Sequence, residues 1–172
     1  GGSQWTQTYL LHAILMIDLI FIFGAKYLFI ISIILICWMW FSAYEENKKN
    51  IIIVGMVALP LAFVLSLTAR SLYDNPRPFV VGNFEPLISH ERDNGFPSDH
   101  ALLVGTLAAL TLFFDRRLAV AMWTIAFFVG VSRVYVGVHH PEDVLASFFI
   151  ALISVYATHL FLSRRKSDTI VA

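Results

Sequence analysis

The run IIIVGMVALPLAFVLSLTARSLY, residues 51–73, decides what kind of protein this is. From Ile51 to Ala69 it carries no charged side chain. A bilayer's hydrocarbon core is crossed by about 20 mostly apolar residues in a helix, and this run has that length and character. Pro60 predicts a kink within it.

Reading outward, the same character recurs on both sides. Glu45–Asn50 reads as a polar loop before the run. Ahead of it, residues 27–44 are apolar and end in Trp38, Trp40, Phe41 and Tyr44, an aromatic cluster suited to a membrane–water interface. A shorter run, 8–23, carries His12 and Asp18, and Gly24-Ala25 predicts a tight turn after it. On the other side a polar segment covers 74–98. Apolar runs follow at 99–114, closed by Asp115-Arg116-Arg117, at 118–135 and at 141–162, with a basic tail over 163–172. The expectation is an all-α fold: an integral membrane bundle of six transmembrane helices, forming one domain over residues 1–172. Gly1-Gly2-Ser3 reads as a cloning remnant. No cleavable signal peptide is expected, because the first apolar run leads directly into further spans. There are no internal repeats.

Composition agrees. The chain is 58% hydrophobic and 14% charged, with a mean hydropathy of +0.74. Water-soluble domains run near 45–50% apolar and about 25% charged, and a soluble core of this size has no room for the excess. A formal net charge of +0 gives no basic surplus for nucleic acid. The single cysteine, Cys37, lies in an apolar run and excludes a disulfide framework.

Six spans place both termini on one side. Lys48, Lys49, Arg116, Arg117, Arg164, Arg165 and Lys166 fall on one face, which the positive-inside rule makes cytoplasmic. Lys26, Arg70, Arg77, Arg92 and Arg133 fall on the other, together with the 74–98 segment.

Three polar clusters sit at span ends on that second face. In Ser132-Arg133-x5-His139-His140-Pro141-Glu142-Asp143, an always-charged guanidinium suits a phosphate or carboxylate. His139 suits a nucleophile or base near neutral pH, and Asp143 is placed to accept from its ring. Read blandly, the same residues are a helix start, with Pro141 at its first position and acids on the helix dipole. In Arg70-x6-Arg77-Pro78, Pro76 and Pro78 fix a stiff turn around Arg77. Paired guanidiniums there suit phosphate oxygens, whereas Arg70 alone reads as an arginine snorkelling to headgroups. In Pro97-Ser98-Asp99-His100, Ser98 is a candidate helix cap beside a ready anion site; a plain cap with an interfacial histidine is the bland version. Three such clusters at one depth favour function, since ionisable groups at a membrane are functional candidates by default.

Together these clusters resemble the three-part signature of the type 2 phosphatidic-acid phosphatase family, across roughly residues 51–162. Two positions depart from the usual pattern: Arg70 stands where lysine is common, and Asp99 where glycine is common. The Pro-Ser-Asp-His form resembles the bacterial undecaprenyl pyrophosphate phosphatases of that family. The resemblance implies a catalytic set of His139 as nucleophile, Asp143 as its orienting partner, and His100 as acid and then base. It implies that Arg70, Arg77, Arg133, Ser98 and the Asp99 position hold phosphate. It also implies a phosphohistidine intermediate, no metal and no cofactor, although histidines in general can bind zinc. The expected partners are the lipid bilayer and a lipid phosphate, most simply undecaprenyl pyrophosphate. Phosphatidylglycerophosphate, phosphatidic acid and lipid A are the alternatives, and a non-catalytic lipid-phosphate-binding or transport protein is the alternative of another class. The expected location is the bacterial inner membrane, with the site on the non-cytoplasmic face. No oligomeric state follows.

Among the remaining polar residues, His140 reads as interfacial or supporting, Asp18 and His12 as paired within the bundle, and His159 as a satisfied bundle histidine. Glu85, Glu91, Arg92 and Asp93 read as a solvated loop or a lid.

Overall fold

The computed structural model describes residues 2–171, with side chains for 10–165. Six helices follow one another: α1 (Gly2–Ser42), α2 (Glu45–Leu72), α3 (Pro78–Val81), α4 (Asp99–Thr111), α5 (Arg116–Tyr135) and α6 (Pro141–Val171). No strand forms among the described residues. Leu10–Ser42, Glu45–Leu72, Arg116–Tyr135 and Pro141–Arg165 are long and apolar enough to cross a membrane, and α4 is shorter.

The outer surface is apolar. Phe41 is 71% and Met56 72% exposed, and Phe149 and Val120 are similar. Patches of this extent are not left to water; lipid covers them. Lipid tails are as apolar as leucine, so these helices associate through close packing and small residues. Ala58, Ala101, Ala108, Ala126 and Ala151 all have 0% exposure. Helix α4 is the central strut and touches α1, α2, α5 and α6. Every residue from Val104 to Thr111 is buried, as expected of a helix apolar on all faces. At about 1.5 Å per residue it is too short to span the hydrocarbon alone, and its neighbours shield it.

The all-α expectation holds, but the spans are drawn differently at both ends. The turn expected at Gly24-Ala25 does not form: 8–23 and 27–44 are one helix, α1. Gly24 serves close approach instead. A Cβ there would collide with Ser132 Oγ and lie 2.9 Å from a Phe128 ring carbon, so glycine lets α1 approach α5. Among the described residues four helices, α1, α2, α5 and α6, are therefore long enough to span, with the shorter α4 packed between them, where six spans were expected. Asp18 of α1 bonds Tyr135 at the C-terminal end of α5, while α6 ends at the opposite pole. The described starts of α1 and ends of α6 thus lie towards opposite poles. Glu45–Asn50 is not a loop but the first turns of α2. Its acids favour the helix N-terminus, and Lys48 pairs with Glu45 at 2.8 Å. The expected tail continues α6 to Val171. Helix α2 runs unbroken through Pro60, which faces outward.

Helices α2 and α5 end, and α4 and α6 begin, at the same pole. The contacts Arg70–Asp99, Arg133–His139 and Ser98–Asp143 tie those ends together.

Candidate active site

The 74–98 segment is pinned rather than loose, and one residue does most of the pinning. Asn94 Oδ1 accepts from the Asn75 and Phe96 amides at 3.1 and 2.9 Å. Its Nδ2 donates to the carbonyls of Arg70 and Tyr73 at 3.2 and 2.9 Å. Further along, the Leu87 amide donates to Val136 O at 3.0 Å. Ile88 packs with Ala25, Val136 and Val138. The turn after α5 needs Gly137, whose φ of +83° lies in the left-handed region. That turn swings His139 inward.

His139 is 3% exposed. Its Nδ1 lies 2.9 Å from Gly95 O and 3.3 Å from Asp143 Oδ2. Its Nε2 lies 3.3 Å from both Arg77 Nη1 and Arg133 Nη2. These partners fix the tautomer. A carbonyl and a carboxylate only accept, and a guanidinium only donates. Nδ1 therefore carries the proton, and the Nε2 lone pair faces two cations. Burial lowers the His139 pKa below its ordinary 6.5; Arg133 and Arg77 lower it further, against the opposing pull of Asp143. A neutral ring whose lone pair faces two guanidiniums is the arrangement a phosphorus nucleophile needs.

Asp143 is fully buried. Its Oδ1 accepts from Asn75 Nδ2 at 2.8 Å and its Oδ2 from the His140 amide at 2.8 Å. Arg77 is 3% exposed and donates to Asp93 Oδ1 at 2.7 Å and Val138 O at 2.9 Å. Burial pushes the Asp93 carboxyl up, but the Arg77 hydrogen bond and charge outweigh it and hold it below the usual range. Arg133 is equally buried, and its Nε has no partner. Ser98 occupies the N-cap position of α4, but its side chain makes no capping bond. Its Oγ is buried and unpartnered, which leaves the hydroxyl available to an anion. His100 lies within electrostatic range of Arg133 and His139, with its ring edge-on to Phe29 at 5.3 Å.

The structure thus brings Arg77, Ser98, His100, Arg133, His139 and Asp143 together. It places Arg70 and Asp99 at the rim of that group, with Asp99 within electrostatic range of Arg133. Arg70 donates to Phe96 O at 3.3 Å, Pro97 O at 3.5 Å and Asp99 Oδ1 at 2.8 Å. The two departures from the family pattern are each other's partners, and they form a half-exposed pair at the rim. His140 Nε2 contacts Pro76 O at 3.1 Å, a supporting position. Asp18 accepts from Tyr135 Oη at 2.9 Å, while His12 is exposed. His159 stacks on Phe113 at the far pole.

Sequence reading missed Asn75, Asn94 and His90. The first two are single amides in a polar stretch with no spacing signal. His90 stands outside every motif, yet its ring lies 6.2 Å from that of His139.

Comparison with known proteins adds an independent line. The PAP2 superfamily model matches residues 50–167. The chain is 34% identical over 116 residues to the bacitracin transport permease protein BcrC of Bacillus licheniformis, covering 67% of this chain and 57% of that one. It is 28% identical over 137 residues to the undecaprenyl-diphosphatase BcrC of Bacillus subtilis, covering 80% and 70% respectively. Among solved structures, Aquifex aeolicus LpxE superposes with a TM-score of 0.69 at 22% identity, covering 83% of this chain and 85% of that one. At that identity the likeness concerns the fold.

Proposed function

The chain belongs to the PAP2 superfamily, and on that premise we propose that it is a metal-independent membrane phosphatase that hydrolyses undecaprenyl pyrophosphate to undecaprenyl phosphate. The observation that carries this reading is the His139 Nε2 lone pair set between Arg77 and Arg133.

In the first step Nε2 attacks the terminal phosphorus. The bond from phosphorus to the bridging oxygen breaks, and undecaprenyl phosphate leaves with a proton from His100. The product on the protein is a phosphohistidine. Asp143 and Gly95 O hold the Nδ1 proton and stabilise the charge the ring gains. In the second step His100 takes a proton from water, the oxygen attacks phosphorus, and the N–P bond electrons return to Nε2. Inorganic phosphate departs. Arg77, Arg133 and Ser98 Oγ offset charge on the equatorial oxygens. Arg70 acts one layer out, by holding the Phe96-Pro97 carbonyls and hence the start of α4.

A relative named an undecaprenyl-diphosphatase supports the substrate choice. The site end should face away from the cytoplasm of a bacterial inner membrane, because Lys48, Lys49, Arg116, Arg117, Arg164 and Arg165 lie towards the other pole. The lipid tail then stays among apolar surfaces while the head enters. Asp99 raised the alternative of a non-catalytic anion carrier. Its pairing with Arg70 keeps its charge at the rim, which favours turnover.

Phosphate release from purified protein in detergent tests the reading. Undecaprenyl pyrophosphate should be cleaved in preference to phosphatidylglycerophosphate, phosphatidic acid and lipid A, with vanadate inhibiting and EDTA without effect. Preference for a glycerophospholipid would overturn the substrate, and loss in EDTA reversed by a divalent ion would overturn the metal-free scheme.

A further inference from the structure

Three polar atoms buried at the site end have no hydrogen-bond partner among the described residues: Ser98 Oγ, Arg133 Nε and His90 Nδ1. A buried polar group left unpaired is costly, and native proteins seldom tolerate one without a reason. Ser98 and Arg133 belong to the signature stretches. His90 does not, so the scheme above leaves it without a role.

Its position is held from both sides. Leu87 and Ile88 anchor the chain before it, through Val136 O and an apolar cluster with Val138. Asp93 and Asn94 anchor it after, through Arg77 and the end of α2. Between these anchors the His90 ring stands edge-on to His139, 6.2 Å centre to centre at 76°. Arg77, Arg133 and His100 all lie within its electrostatic range. The three imidazoles are not arranged to share a metal. Instead His90 stands on the loop side of the group that Arg77, Arg133 and His139 form.

We propose that His90 is a phosphate-binding residue whose Nδ1 donates a hydrogen bond to an oxygen of the phosphoryl group presented to His139. This deepens the phosphatase reading and rests on it. Burial, then Arg77 and Arg133, lower the His90 pKa below 6.5, against a smaller pull from the Glu91 backbone and the Asp93 charge. A neutral ring supplies a donor without adding a third cation to two adjacent guanidiniums.

The test uses the full chain in detergent, with inorganic vanadate and undecaprenyl pyrophosphate as probes. His90→Ala should raise the vanadate inhibition constant and the KM about tenfold, the loss of one hydrogen bond to an anion, with kcat changing less. His90→Asn, whose amide nitrogen falls near the Nδ1 position, should restore both constants to within about threefold. His90→Gln, whose nitrogen falls near Nε2, should not. Unchanged constants in His90→Ala, or equal constants in the Asn and Gln variants, overturn the inference; the second comparison serves if the alanine variant fails to fold. A weakened KM with an unchanged vanadate constant places His90 on the lipid portion and also overturns it. His139→Ala separates the two levels. If it abolishes hydrolysis while His90→Ala changes nothing, His90 alone is wrong; if hydrolysis persists in it, both readings fall.

Discussion

The two poles of this bundle are built from the same side chains and behave differently. At one pole Arg116, Arg117, Arg164 and Arg165 are exposed, and His159 lies flat on Phe113. At the other, Arg77, Arg133 and His139 are each 3% exposed and point at one another. Exposed basic groups stay hydrated and set orientation. Arg77 is paired with Asp93 on one side, yet it still disfavours the charge of Arg133 beside it, and an anion placed between the two relieves that repulsion. Residue type does not separate the two poles. Burial and convergence do.

Breaking the inner pole should therefore cost far more than breaking the outer one. His139→Ala should lower kcat by on the order of 10⁴-fold or more, as loss of a nucleophile does, while His159→Ala stays within about twofold in the same phosphate-release assay. Arg77→Lys and Arg133→Lys should each lower kcat/KM by about 10²–10³-fold, the usual loss of a preorganised donor. Arg116→Gln and Arg117→Gln should leave kcat/KM unchanged, and a comparable fall in either pair would erase the contrast.

Asp143→Asn sharpens it further. In triads where the carboxylate alone fixes the histidine tautomer, the amide costs about 10⁴-fold. Here Gly95 O, at 2.9 Å, shares that task, so a loss nearer 10²-fold is expected. The pH profile follows from burial. The folded pKa of His139 lies below 6.5, so the neutral nucleophile predominates at pH 6.5 and is lost as pH falls through the lower value. The acid limb of kcat/KM should then lie below pH 6.5. The smallest effect belongs to the rim: Asp99→Gly breaks a half-exposed ion pair, worth about 1 kcal/mol or less, and should leave kcat/KM within about fivefold.

The sequence announced the site better than it announced the helices. Arg77, Ser98, His100, Arg133, His139 and Asp143 were legible because each falls at the end of an apolar run, and the runs bring their ends to common depths. Gly24-Ala25 misled, because small residues serve both tight turns and close helix contacts, and only the partner surface on α5 distinguishes the two. Glu45–Asn50 misled in the same way: charge suggested a loop where an acidic first turn suits a helix start. Arg70 was legible as a cation, but its partner Asp99 lies 29 positions away and could not be paired from spacing. Asn75, Asn94 and His90 are placed by a fold of the 74–98 segment that no periodicity encodes.

The central claim is that His139 Nε2 accepts the phosphoryl group. Rapid quenching of the protein with undecaprenyl pyrophosphate radiolabelled in its terminal phosphate, followed by peptide mapping under alkaline conditions, measures it directly. The account predicts an acid-labile, base-stable label on His139, absent in His139→Ala. Label on any other residue, or full turnover with no labelled protein at any time, would contradict it.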